Sequence, residues 1–534
     1  MSASTPLGAV ATSHHLATEA GAEALRAGGN AIDAAIAAAA ALCVVYPNNV
    51  ALGGDLVALV RRPDGVVHFV NATGRAPASV NIDELRQRHG ETLPTRGVDT
   101  ITVPGGVRGW QSLAELGGRL SWAQRLERAR AYALHGVPLA RSVARAIRVD
   151  RGDLSSDAGC RALFLPGGAP LEEGAPFRQP ALADSIARIA EHGPDEFYSG
   201  DLAARWIAGL RALGSSITPS DAAGYTAVVE RPISTRALGV DVLTSPPNTQ
   251  GFSLLRTVRA LADDAIAEPL GADAGRLAEV FAANNRVRAR WLADPDLAPI
   301  DADALVTMPA PGEAFADSLP AGGDTVGLTA VSADGWAVSL VQSVYWAFGA
   351  CVLEPDTGIL FQNRGTSFSL DPDHPAAIAP GRRPPHTLMP VLVQRDGELA
   401  LVAATMGGQA QPQIHAHLLL HALAGASAVE ATSAPRWVVG VQDDGDTVRT
   451  VTVEADVPAE AQRALRASGL RVKTVPPRDE GLGHSNLIRL LPAGYDAASD
   501  PRSDGSAIVV DDAEVSGAPH HPGESTTTHP TSET

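Results

Sequence analysis

Lysine is almost missing from this 534-residue chain: Lys473 stands alone, and every other fixed cation is an arginine. The formal net charge is −18. Phosphate backbones and anionic bilayers are held by clustered Lys and Arg, so this balance argues against nucleic-acid and membrane partners. Cysteine is scarce as well. Cys43, Cys160 and Cys351 are odd in number, far apart and outside any CxxC pair. That argues against a disulfide framework or a zinc cage and suits a reducing compartment. Residues 1–20 carry no basic segment and no apolar core, so no export signal is expected. The best apolar stretch, 31–45, is alanine-rich and too short to cross a bilayer. A cytoplasmic location is the expectation. No Gly-x-Gly-x-x-Gly follows a strand pattern and no Gly-x-Ser-x-Gly elbow occurs, which argues against a nucleotide fold and a serine-hydrolase fold. His417 and His421 sit one helical turn apart near His415, but metal ligation needs a third ligand and a supporting shell, and Leu418-Leu419-Leu420 reads as a packed helix. No metal and no cofactor is expected.

What is present is globular: 45% hydrophobic and 19% charged residues, with 52 Gly and 39 Pro marking many turns. Residues 18–27 read as a helix stopped by Gly28-Gly29. Asn30 caps a second helix over 31–44, with Asp33 in its first turn. Gly53-Gly54-Asp55 turns into an apolar strand over 56–60. The region 121–294 is helix-rich, with helical spacing over 181–190 and 202–213 and a helix opening near Phe252. Alternation over 325–401 favours strands, residues 413–423 read as a helix, and 451–475 mixes both. Beyond about residue 512 the chain becomes Pro-, Ser-, Thr- and His-rich, and a disordered tail over 513–534 is expected.

The informative stretch is Gly323-Asp324-Thr325-Val326-Gly327-Leu328-Thr329, which opens a strand-like run on a threonine. Ser343 follows eighteen residues later, after Trp336-Ala337-Val338-Ser339-Leu340-Val341. Arg383-Pro384-Pro385-His386-Thr387 and Thr405-Met406-Gly407-Gly408-Gln409 come next. With the N-terminal block 27–60, Val103-Pro104-Gly105-Gly106 and Asp500-Pro501-Arg502-Ser503-Asp504-Gly505, this ordered set resembles the γ-glutamyltranspeptidase family of N-terminal-nucleophile hydrolases, over roughly residues 9–510.

The resemblance implies that the chain cuts itself at Asp324–Thr325 and that Thr325 becomes the nucleophile. The chemistry is coherent. A threonine hydroxyl needs a base. An N-terminal threonine carries one, an α-amine with an unperturbed pKa near ~8, whereas an internal threonine has only an amide. By the same resemblance, Gly407 and Gly408 supply backbone N–H groups to the oxyanion, and Ser343 stands where a threonine hydroxyl bonds the nucleophile.

The positions implied to bind substrate depart from the family. Thr73 occupies the place of an arginine that holds a carboxylate, and Arg75, two residues on and on the same strand face, is the expected substitute. In Gln362-Asn363-Arg364-Gly365-Thr366-Ser367, Arg364 replaces an amide and Ser367 a carboxylate. Tyr345 replaces an asparagine, and His386 and Thr387 replace tandem serines. An arginine cannot accept a hydrogen bond from an ammonium and repels it. The expected acyl group therefore bears a carboxylate and lacks an α-amine.

The fold implied is an α/β (α+β) four-layer αββα sandwich, formed jointly by a large fragment, 1–324, and a small fragment, 325–512, that stay together as a heterodimer, alone or as a dimer of such pairs. The partner expected is a small-molecule acyl donor. The activity implied is that of an autoprocessing amidohydrolase or acyltransferase. Readings held beside it are a true γ-glutamyl transferase or glutathione hydrolase, a C–C bond-cleaving pathway enzyme, a glutaryl-type acylase, and an unprocessed binding protein.

Overall fold

Strand alternation sorts the buried side chains of two antiparallel sheets into three layers. The computed structural model describes residues 6–263, 266–298, 301–312, 324–443 and 445–511. The first sheet runs Ser506–Asp511, Pro6–Thr12, Asp324–Ser332, Ala337–Tyr345, Asp55–Arg61, Val67–Ala72, Val228–Glu230. The second runs Gly494–Ser499, His484–Leu491, Glu398–Met406, Val391–Arg395, Val240–Thr244, Ile233–Ala237. On strand Asp324–Ser332, Val326, Leu328 and Ala330 face a helical layer, while Val331 faces the second sheet. Ala9, Val57, Leu59, Val341, Leu392, Val402 and Ile488 fill the space between sheets. A third core places Leu254, Leu277, Leu419 and Leu465 of outer helices on the far face of the second sheet. The order is thus helix, sheet, sheet, helix, the αββα sandwich expected.

Each sheet takes strands from both sides of residue 325. The 1–324 segment gives four strands to the first sheet and two to the second; the rest follow residue 324. A cut before Thr325 would leave both sheets mixed, with interstrand ladders joining the two fragments.

Local chemistry explains the helix ends. Asn30 and Asp33 form a reciprocal capping box at the start of Ala31–Val45, which is buried on every side. Asp33 also accepts from Arg125 Nε at 2.7 Å. The first helix starts at His15, earlier than the expected 18, because His14 Nδ1 accepts from Leu16 N and caps it. Helices Pro180–His192, Asp201–Ala212, Phe252–Asp263 and Gln411–Leu423 lie where periodicity put them.

The strands expected over 325–401 break between 346 and 390. That stretch holds two-residue strands, the 3-10 turn Arg364–Ser367 and irregular chain. Its backbone is satisfied across loops: Gln362 N donates to Gly53 O, Asn363 N to Val344 O, and His386 N to Asn248 O. The segment wraps one end of the first sheet and carries much of the candidate site. Among the described residues, no helix is long and apolar enough to cross a membrane. The expected tail 513–534 lies outside the described residues.

Candidate active site

Thr325 lies near the start of a central strand and is 1% exposed. The hairpin that follows brings Ser343 back beside it. Pairing runs Gln342 to Val326 and then Tyr345 to Asp324, three steps against two, so a β-bulge sits at Ser343-Val344. Thr325 Oγ1 donates to Ser343 Oγ at 3.0 Å, and Ser343 Oγ also accepts from Tyr345 N at 2.7 Å. Asn49 Nδ2 donates to the Thr325 carbonyl at 3.1 Å, and Asn48 in turn donates to Asn49 Oδ1.

The second sheet delivers the glycine pair. A Cβ on Gly327 would lie 2.8 Å from Ala404 C and Thr405 N, so only glycine lets the two sheets approach this closely beside Thr325. The strand Glu398–Met406 then ends in Gly407, with φ of +149°, and Gly408, with φ of +53°. Their amides stand at the N-terminal end of the short turn leading into Gln411–Leu423, where backbone N–H groups lack intrahelical partners. A Cβ on Gly407 would meet Ile414 Cδ1 at 2.3 Å. Gln250 Nε2 ties this turn to the next group, donating to Gly408 O at 2.8 Å and Thr387 O at 2.7 Å.

That group surrounds Arg364, which is 1% exposed. Its guanidinium stacks 3.5 Å from the centre of the Tyr345 ring, and Nη2 donates to Thr387 Oγ1 at 3.2 Å. Nη1 has no hydrogen-bond partner, and among the described residues no carboxylate forms an ion pair with it. Burial pulls its pKa down to about 10, with Tyr345 and then Asp55 opposing. Asp55 pairs with Ser343 across the neighbouring strand. Burial pushes the Asp55 carboxyl up to about 7, against the pull of backbone N–H groups and Arg364. His386 Nδ1 accepts from Leu388 N, so its proton sits on Nε2 and is donated to Asp55 Oδ2 at 3.2 Å. Burial and Arg364 hold His386 well below its usual range, so this is a neutral imidazole hydrogen bond and not an ion pair.

With that geometry, the chain matches the γ-glutamyltranspeptidase family over residues 17–510. The chain belongs to that family. It is 35% identical over 520 residues to the glutathione hydrolase-like YwrD proenzyme of Bacillus subtilis, covering 94% of this chain and 98% of the relative. It is also 35% identical over 521 residues to the oxamate amidohydrolase proenzyme of Klebsiella pneumoniae, covering 92% and 97%. The solved cephalosporin acylase from Bacillus halodurans has the same fold, with a TM-score of 0.86 and 31% identity over 95% of this chain and 96% of that one. This γ-glutamyltranspeptidase-family chain is therefore an enzyme of the N-terminal-nucleophile hydrolase type, of the amidohydrolase and acylase kind.

Not every expected residue joins the group. Arg75, the expected carboxylate holder, is committed elsewhere: Nη2 pairs with Asp296 at 3.0 Å and Nη1 donates to Gly381 O at 2.9 Å. Thr73 is fully buried and bonds Asn71 and Asn248, not a ligand space. Ser367 ends the 3-10 turn, half-buried. The side chain of Asp324 lies outside what the structure describes. His415 and His417 bond the carbonyls of Met389 and Trp437 through Nε2, at 3.2 and 2.9 Å. Sequence reasoning missed Asn49, Gln250 and Asp55. An acid heading an otherwise apolar strand was the available signal for Asp55.

Proposed function

We propose that this enzyme is a self-cleaving amidohydrolase whose acyl group bears a carboxylate and no α-amine. Thr325 Oγ1 first adds to the Asp324 carbonyl, the peptide C–N bond breaks to leave an ester, and water cleaves that ester. The freed α-amine of Thr325 then takes the hydroxyl proton during attack on the substrate amide. Gly407 and Gly408 N–H groups receive the oxyanion. The substrate C–N bond breaks, the amine leaves with that proton, and water hydrolyses the acyl ester to the free acid and Thr325. The Thr325–Ser343 hydrogen bond supports the assignment of the nucleophile.

The single observation that carries the choice of acyl group is the buried Arg364 with Nη1 unpartnered. A buried arginine without a carboxylate is costly, and an incoming acid satisfies it. The name of the oxamate amidohydrolase relative agrees, since oxamate joins an amide to a carboxylate without an α-amine. A γ-glutamyl donor, suggested by the name of the Bacillus subtilis relative, brings an α-ammonium toward Arg364. The test is a p-nitroanilide series from oxalyl to glutaryl beside γ-glutamyl, on wild type and Arg364→Met. The best des-amino substrate should exceed γ-glutamyl at least tenfold, and the variant should erase the margin. Faster γ-glutamyl turnover in the wild type would overturn the reading.

A further inference from the structure

Trp346, next to the Tyr345 that stacks on Arg364, turns to a different space. It lines an open cavity of about 650 Å³ whose wall also includes Asn48 and Gly407. Asn48 adjoins the Asn49 that holds the Thr325 carbonyl, and Gly407 is a proposed oxyanion donor. The cavity therefore shares Gly407 and the Asn48-Asn49 pair with the surroundings of Thr325, and Arg364 is not in its wall. Its volume is that of a pocket for a drug-sized ligand, far beyond what ammonia needs.

We infer that this cavity receives the amine half of the substrate, and that this half is a sizeable, hydrogen-bonding group without a carboxylate. The inference rests on the amide-cleaving role of Thr325. Five lining residues carry buried polar atoms without a hydrogen-bond partner: Asn48 Oδ1, Ser142 Oγ, Trp346 Nε1, Gln442 Nε2 and Thr452 Oγ1. Asn48, Ser142 and Thr452 are each at least nine-tenths buried. Unpaired buried polar atoms are few in native proteins, so five around one cavity point to a ligand that pairs with them. None of the five is charged.

Both arginines in the same wall are already matched to acids. Arg96 pairs with Asp150 at 2.7 Å, Arg145 with Glu480 at 3.0 Å, and Asp443 with Lys473 at 2.5 Å. Asp479 accepts from Gly481 N at 2.8 Å. An anionic amine half would have to break one of these pairs to find a cation. An amide- or hydroxyl-bearing one would meet donors and acceptors that stand ready.

The test uses one acyl group with three amine halves: ammonia, glycylglycinamide and glycylglycine. It is run in parallel on the best des-amino acyl group and on γ-glutamyl. The glycylglycinamide compound should be cleaved at least tenfold faster, in kcat/KM, than the primary amide and than the carboxylate-bearing glycylglycine compound. Trp346→Ala and Thr452→Val should each draw those ratios toward one. Agreement on the γ-glutamyl arm alone would keep this inference and sink the acyl-group reading. Equal or faster cleavage of the primary amide, or ratios unmoved by both variants, would overturn it. If no amide is cleaved, saturation-transfer NMR of glycylglycinamide on uncut Thr325→Ala protein decides. Binding that Trp346→Ala abolishes supports the cavity assignment, and no Trp346-dependent binding overturns it.

Discussion

The two sides of Thr325 are built on opposite electrostatic rules. On one side Arg364 is buried against Tyr345 with a donor left over and no carboxylate paired to it. On the other, around Trp346, both arginines of the cavity wall have acid partners, and five neutral buried atoms are left over. A buried unpaired charge costs far more than a buried unpaired hydroxyl or amide. On the proposed reading, the first pattern marks where an acid is to bind, and the second where shape and neutral hydrogen bonds do the sorting. On that reading Thr325 is strict toward the acid half of an amide and selective by another criterion toward the amine half.

The largest expected effect ignores the distinction. Gly407→Ala sets a Cβ against Ile414 at a φ of +149° and displaces a proposed oxyanion donor. It should lower kcat/KM about 100- to 1,000-fold on every substrate alike. A loss confined to one acyl or amine class would show that the glycine pair is not shared between the sides. Next, Arg364→Met should cost about 100-fold on acid-bearing acyl groups, as expected for losing a buried charge-assisted bond, while the ranking of amine halves stays fixed. Ser343→Ala should slow all substrates about tenfold, the scale of one hydrogen bond to the nucleophile.

The smallest effect reads the acyl side through pH. Asp55 titrates near 7 in the folded protein, above an ordinary aspartate near ~4. Between those values the folded state binds a proton that the unfolded chain has released, so this group's contribution to stability falls as pH rises. His415 and His417, pushed down to about 3 by burial, act oppositely: stability rises with pH from their folded values toward 6.5. Both histidines are common to wild type and Asp55→Asn, so the difference in urea midpoints between pH 5 and pH 7.5 isolates Asp55. The variant should gain relative stability at the higher pH. A difference that does not change with pH would contradict the titration of Asp55 in this window.

What the sequence made legible follows from how local each feature is. Thr325 and Ser343 lie on the two arms of one hairpin, so the pairing that the family resemblance implied is a local one. The Asn30 cap and the Gly407-Gly408 turn are short-range chemistry as well. Arg75 was misread because its partners, Asp294 and Asp296, come from a loop more than two hundred residues away. The burial of Arg364 depends on the irregular 346–390 segment, which alternation alone read as strand. Asn49 and Gln250 act through backbone carbonyls that only the folded chain brings near.

The most direct test is denaturing mass analysis of purified wild type beside Thr325→Ala. Wild type should give two chains of roughly 33 and 22 kDa, the 55.1 kDa total divided before Thr325 in proportion to length, with threonine at the N-terminus of the smaller. The variant should remain one chain with no amidase activity. A folded wild type that stays a single chain, or is cut elsewhere, would contradict Thr325 as the self-released nucleophile.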